Sequence, residues 1–461
     1  MLDQMLLEKV LRKALCRGGD YADVFVEWKR PTTLQMEEGR IEKVLTGVEQ
    51  GAGIRVLFDG KTAFAFSNDL REETLLLAAR GLSVAVARGK GAPGLSLMTQ
   101  RPAVDFTFRE RPDAVALPRK VSLLREADHA ARALGGEKVR QVSLVYRDSV
   151  QRVQVATSEG ALAEDERIHT ISLVNVVAQE KDVVQTGYET MGGLVGFELF
   201  AEESFVQAAL RAVRRALAML TARRAPGGRM PVVISSEAGG TMIHEAIGHG
   251  LEADLAGQGL SKFSGLLGRQ VASPLVTVID DATLPGKRGS FRFDDEGTPS
   301  ARTVLVKDGV LRTYMFDKLS AMREGAQSTG NGRRESYRHR PIPRMTNTFI
   351  APGASEPEDI VRSTARGLLV KRMGGGQVNT VTGEFVFDVQ EGYLIENGAQ
   401  GEAVRGATLT GNGPDVLMNI DMVGSDLGFA IGTCGKDAQG VPVSDAMPTV
   451  RIAEMVVGGE V

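Results

Sequence analysis

The sequence predicts an α+β protein. An N-terminal mixed α+β domain with antiparallel strands spans residues 1–225, and a C-terminal domain rich in antiparallel β-structure around one helix spans 226–461. Three observations carry this. Short segments of alternating apolar residues recur along the chain, which is the signature of half-buried strands. Asp59-Gly60, Asp308-Gly309 and Asn397-Gly398 separate such segments, and these dipeptides favour the positive φ angles of two-residue hairpin turns. Stripes with helical period gather in the first half, whereas the second half offers one helix, around 239–250. At 461 residues the chain is also too long for one ordinary compact core.

In order, Met5 to Leu15 carry Leu7, Leu11 and Ala14 at helical spacing, closed by Gly18-Gly19. Val24, Val26 and Trp28 alternate as a strand that Pro31 is expected to break, with Leu34 and Met36 opening another. Ile54 to Phe58 and Thr62 to Phe66 flank Asp59-Gly60 as a hairpin, and Asn68-Asp69 offer caps for a helix. Glycine and proline make 91–101 a connection. Residues 117–135 read as helix, then Gln141–Tyr146, Gln151–Thr157 and Arg167–Val177 as strands, then Val206, Leu210, Val213, Leu217 and Leu220 as one amphipathic stripe. Ala225-Pro-Gly-Gly-Arg marks the boundary by its turn chemistry. Beyond it, Val232 to Ser235, Val276 to Ile279, Thr303 to Val306, Phe385 to Val389 and Tyr393 to Ile395 are the clearest strands.

Composition removes several classes of function. Charged residues make up 25% and the apolar set 43%, with 55 basic against 58 acidic side chains for a net charge of −3. That is globular rather than disordered, and it offers no basic surface for nucleic acid or an anionic membrane. Two cysteines, Cys16 and Cys434, cannot build a disulfide framework, which fits a reducing, cytoplasmic setting. No stretch reaches the roughly 18 apolar residues of a membrane span, and acids interrupt the apolar start where a signal peptide needs an unbroken run.

The chemistry concentrates in one place. Of only five histidines, two stand in His244-Glu245-Ala-Ile-Gly-His249. Zinc-protease helices usually space their histidines four apart, on one face. Here the spacing is five, which puts the imidazoles about 140° apart on an ideal α-helix. Both reach one ion only if the helix widens or ends there. Gly248 is a place for it to end, and a single π-turn also brings residues i and i+5 together. The alternative is a helix terminus with two solvent-facing histidines. In the metal reading Glu245 is the general base. A third ligand comes from Cys434, in the glycine-flanked loop Ile431 to Asp437, or from Glu252 or Asp254, and spacing alone does not choose. Cys16, on the first helix, reads as core.

Three further stretches are unusual. Phe293 to Pro299 concentrates acids at a turn, Asn331 to Arg340 is strongly basic, and Gly374-Gly-Gly-Gln377 can lay backbone against a ligand. Their plain readings are an Asx turn, a solvated loop and a β-bulge. On the other reading Gly374, Gly375 and Gly376 line the substrate.

The segment Glu237 to Asp254 resembles the metal-binding helix of the TldD branch of the TldD/PmbA metalloprotease family, with the long-spaced histidine motif intact at His244, Glu245 and His249. Later segments agree in order: Gly268 to Ser273, Phe293 to Pro299, Arg333 to Arg338, Arg344 to Thr348, Gly374 to Val378 and Thr433 to Val443. The resemblance implies zinc held by His244, His249 and Cys434, with Glu245 as catalytic base, cutting extended peptides and unfolded segments. It also implies a dimer, either with a PmbA-type paralogous subunit that lacks the metal motif or with a second copy. The competing readings are a cysteine peptidase using Cys434, and a non-catalytic regulator of a DNA-associated complex, against which the near-neutral charge and the intact motif both argue.

Overall fold

The structure, a computed structural model, describes residues 1–86 and 94–459. Helix α1 (Gln4–Ala14) starts where the Asp3 carboxylate accepts from the Met5 N–H, and it buries Leu7, Val10, Leu11 and Ala14. The first sheet follows: β1 (Tyr21–Glu37), β2 (Arg40–Thr46), β3 (Glu49–Phe58) and β4 (Lys61–Ser67). Helix α2 (Glu72–Ala85) comes next, then the two-residue β5 (Met98–Thr99) and α3 (Leu117–Gly135). The sheet is completed by β6 (Val139–Thr157), β7 (Ala161–Glu180) and β8 (Val183–Gly193), before the short α4 (Leu199–Glu202) and α5 (Phe205–Thr221). The strand order is β4-β3-β1-β6-β7-β5, with β2 beside β1 and β8 beside β7. Part of the connection expected over 91–101 lies outside the described residues.

Pro31 does not break β1. On one side Pro31 faces Ser149 of β6. On the other, pairing with β3 stops at Lys29 and pairing with β2 begins at Thr32. Pro31 sits at the junction of two partners, where a missing N–H costs no ladder bond. The strands expected over 141–146 and 151–157 are likewise one, because a β6 residue pairs with β1 or β7 at almost every position. Strand β8 carries Gln185, Thr186, Gly187 and Tyr188 in place of apolar alternation, and it was not foreseen. The Asp59-Gly60 hairpin is as expected, with φ of 49° and 68°. Helix α2 starts at Arg71 with no side-chain cap; the Asp69 carboxylate instead accepts from the Arg71 N–H and Thr74 Oγ1. Cys16 lies just past α1 and is exposed.

The period of two along β1 divides its surroundings. Ala22, Val24 and Val26 pack with α1 and α2, and Leu34 and Met36 with α3 and α5. From the opposite face Phe25 packs with Phe293 and Tyr337 of the second half. One face of the sheet therefore carries helices and the other receives the rest of the chain.

The second half holds a two-stranded sheet, Gly332–Arg333 with Ile342–Pro343, and two large sheets, mostly antiparallel. In one, Arg366–Val378, Gly228–Ile234, Val450–Gly458, Thr408–Asn412 and Glu384–Glu396 pair in that order, and the last also pairs with the first. Five strands thus close on themselves. The other runs Val310–Leu311, Arg302–Lys307, Val278–Asp281, Asn347–Ile350, Gln439–Met447 and Gly428–Lys436. The α+β class with predominantly antiparallel pairing is the architecture observed. Asp308-Gly309 and Asn397-Gly398 turn with positive φ at both residues, as their sequence predicts.

Candidate metal centre

The motif segment enters as one short α-turn, Thr241–Ile243, and widens into a π-helix over His244–Gly248 before a 3₁₀ turn, His249–Leu251. The His249 N–H donates to the His244 carbonyl, five residues back. This is the wide turn that the five-residue spacing requires. The segment approaches its neighbours too closely for side chains at two points. A Cβ on Gly240 would lie 2.2 Å from the Ala446 nitrogen, and one on Gly248 would lie 2.2 Å from Met345 Sδ.

The imidazoles stand 5.0 Å apart between ring centres, with planes at 88°. Cys434 Sγ lies 3.2 Å from His244 Nε2 and 3.4 Å from His249 Nε2. All three donor residues are buried, and among the described residues they form a group able to hold a metal ion. Tetrahedral zinc with ordinary Zn–S and Zn–N bonds spaces such donors roughly 3.5 Å apart, so the residues present fit the ion. Cys434 is not in a loop. It lies on Gly428–Lys436, the edge strand of the six-stranded sheet, opposite Val441. Burial pushes its thiol up, but hydrogen bonding and charge from His244 and His249 outweigh it and bring the pKa down to about 5.

The outer partners include Glu252 and Asp254, which spacing offered as ligands, and Lys436, Asp445 and Arg344, which it did not offer. Glu252, weighed above as a ligand, instead places Oε2 2.9 Å from His249 Nδ1. Lys436 Nζ donates to the same oxygen at 3.0 Å and to Asp254 Oδ1 at 2.7 Å. Burial would raise Glu252, yet Lys436 and His249 hold it at about 2. Asp445 stands 3.8 Å from His244 Nδ1, which has no hydrogen-bond partner among the described residues, and accepts from the Gly240 N–H. Burial lifts Asp445 to about 6 against the pull of His244. Arg344, fully buried, donates to the Cys434 carbonyl. The Glu252 carboxylate behind His249 fixes that ring's tautomer and leaves its Nε2 to the metal, whereas Asp445 stands behind His244 beyond hydrogen-bond distance. The signal for Lys436 was its place two residues after Cys434; Asp445 and Arg344 carried none by spacing.

Glu245 is half-buried beside His244 and makes no side-chain hydrogen bond among the described residues, while its charge is felt at Asp445. Gly374, Gly375 and Gly376 lie where register shifts interrupt the pairing of Arg366–Val378 with Glu384–Glu396. A Cβ on Gly376 would meet the Phe387 ring at 1.8 Å, so that glycine makes room for packing, and the bulge reading describes the segment.

Family models described as PmbA/TldA metallopeptidase domain 1, central domain and C-terminal domain match residues 22–87, 110–220 and 227–459. The chain belongs to the TldD/PmbA metallopeptidase family. It is 37% identical over 452 residues to a "Metalloprotease TldD homolog" of Haemophilus influenzae, covering 96% of this chain and 94% of that one. A metalloprotease of Methanocaldococcus jannaschii is 36% identical, covering 96% and 98%. These names support a metallopeptidase function. Among solved structures, TldE from Thermococcus kodakarensis matches with a TM-score of 0.78 at 18% identity, covering 98% of this chain and 100% of that one. At that identity the likeness is one of fold. No described helix is long and apolar enough to cross a membrane.

Proposed function

We propose that this chain is a cytoplasmic zinc-dependent peptidase acting on extended peptides and unfolded segments. The observation that carries the reading is the convergence of His244 Nε2, His249 Nε2 and Cys434 Sγ across a π-turn. His244, His249 and Cys434 hold the ion. Zinc so held supplies Lewis acidity toward a carbonyl and lowers the pKa of water. Glu245 accepts a proton from the attacking water and passes it to the leaving amine. Glu252 holds His249 in the ligating orientation, and the Asp445 charge stands behind His244. The outer side of Gly428–Lys436 has no strand partner among the described residues, and an extended chain laid along it sits beside Cys434. A PmbA-type paralogous subunit or a second copy completes the working dimer.

Glu245→Ala should retain bound zinc and lose about 10²–10⁴-fold in peptide hydrolysis. Zinc content by mass spectrometry, read beside activity, tests this, and loss of zinc in proportion to activity would make Glu245 a ligand or a structural residue. Unstructured peptides should be cut while a stably folded protein of similar sequence is spared. Equal rates on the folded protein and on its destabilised mutant would point to an open surface site.

The proximity of His244 to the Cys434 thiol also suits a cysteine peptidase. That reading requires hydrolysis to survive thorough removal of metal, which the zinc reading forbids.

A further inference from the structure

A cavity of about 330 Å³ lies between the first sheet and the second half, on the far side of the edge strand from the metal centre. Thr433, which lines it, precedes Cys434, and alternation along a strand sends the two side chains to opposite faces. Six cationic side chains line this cavity: Lys29, Arg147, Arg167, Arg288, Arg333 and Arg334.

Two of these are neutralised within the protein. Arg167 donates to Asp295 at 2.7 Å and Arg334 to Asp23 at 3.3 Å. The other four have no ion pair among the described residues. Arg288 reaches only the Gly432 carbonyl, and its Nε is buried with no partner. Arg333, 4% exposed, donates to the carbonyls of Met345 and Pro442. Lys29 and Arg147, half-buried and exposed, make no hydrogen bond through their side chains.

The carboxylates on the wall do not cancel this charge. Asp148 is held by Lys120, outside the cavity, at 2.5 Å. Asp295 is taken by Arg167 and the Arg334 N–H. Only Glu335, which accepts from the Gly440 N–H, is free of a cation. Four cations therefore face one carboxylate. Burial holds Arg333 and Arg288 down to about 10, against the pull of Asp295 at Arg333 and with Arg147 adding repulsion at Arg288.

We propose that this cavity is a subsite for a carboxylate of the peptide substrate, either an acidic side chain or the C-terminal carboxylate. The inference rests on the peptidase reading above and names a substrate class for it. Arg288 ties the cavity to the edge strand through the Gly432 carbonyl, two residues before Cys434. A chain laid along that edge with its scissile bond at the metal centre presents a group one or two residues away to the cationic face. Guanidinium groups recognise carboxylates through paired, directional N–H bonds, and the cavity offers several with unused donors.

The test uses one unstructured peptide in four forms, with glutamate or glutamine near the cut and a free or amidated C-terminus. Binding is followed by fluorescence anisotropy on the Glu245→Ala protein and hydrolysis on the unaltered protein. At least one carboxylate form should bind and be cut roughly tenfold better than the doubly neutral form, and which form does so tells side chain from terminus. A Lys29→Gln, Arg147→Gln double variant should lose this preference while still cutting the neutral peptide, with circular dichroism checking its fold. Equal binding of all four forms, or a preference unchanged in the double variant, overturns the subsite. If no form is cut but the binding preference appears and vanishes in the double variant, the subsite stands and the peptidase reading fails.

Discussion

The protein buries charge in two places, and they are built on opposite principles. Between the first sheet and the second half, Arg55 donates to Asp23 at 2.7 Å and meets Glu296 at 2.7 Å. Arg334 also reaches Asp23, Arg167 reaches Asp295, and the Glu27 carboxylate accepts from the Tyr337 N–H. There, arginines face carboxylates, mostly from the other side of the contact, beside the cavity whose four other cations have no ion pair among the described residues. At the metal centre the outer groups are paired in the same way, Glu252 with Lys436 and His249. The inner atoms are not: two imidazole nitrogens and a thiol sulfur lie within 4.8 Å of one another with no carboxylate among them. Buried charge that is paired joins two parts of the chain, whereas buried donors that converge offer a place for an ion.

This contrast can be broken from either side. The largest effect should come from Arg55→Met, which leaves Asp23 and Glu296 buried without their shared cation. Removing one partner of a buried pair costs roughly 3–5 kcal/mol. Denaturant unfolding should show that loss, while zinc affinity under native conditions stays close to that of the unaltered protein. A matching loss of zinc affinity would mean that the two clusters are one system.

Cys434→Ser reverses the test. Zinc affinity should fall by more than the roughly 10–100-fold that loss of an outer partner costs, and competition with a chromophoric chelator measures it. Full zinc occupancy with activity gone would favour the cysteine-nucleophile reading. Glu252→Gln should sit inside that 10–100-fold range, because the amide keeps a contact to His249 but loses the charge. An affinity equal to that of the unaltered protein would remove Glu252 from the centre.

The smallest effect concerns pH. Burial raises Glu296 from 4.5 to about 8, with Asp317 and Asp294 adding to it against Arg55. A carboxyl raised on folding binds its proton more tightly in the folded state. Its contribution to stability is therefore whole below about pH 4.5 and is lost as pH rises through about 8. Glu296→Gln should flatten the decline in Tm over that interval, and an unchanged slope would assign the decline to other groups.

Much of this was legible in the sequence, and the exceptions share a cause. The helix over 117–135 and the Asp59-Gly60 turn follow from local rules, and local structure obeys them. The five-residue histidine spacing required an irregular helix, and the π-turn supplies it. What failed depended on partners distant in the chain. Pro31 stays within β1 because two strands change over beside it. The basic stretch from Asn331 buries Arg334 because the acidic turn at 294–296 and Asp23 come to meet it, and Arg333 because the carbonyls of Met345 and Pro442 accept from it. Charge in a single segment does not reveal whether water or a distant carboxylate will surround it. The same limit hid Asp445, whose place depends on strand register, and Arg344, which lies between two short strands.

Cys434 stands on an edge strand rather than a loop, and this makes the strand a ruler. A loop ligand tolerates any offset of a neighbouring chain. A strand does not, because a one-residue slip turns every side chain of its partner to the opposite face. A substrate held along Gly428–Lys436 keeps the same groups turned inward only by moving two residues at a time, about 7 Å. Successive cuts along a uniform extended chain would then fall at even intervals, and the product lengths would record the pleat of the sheet that held it.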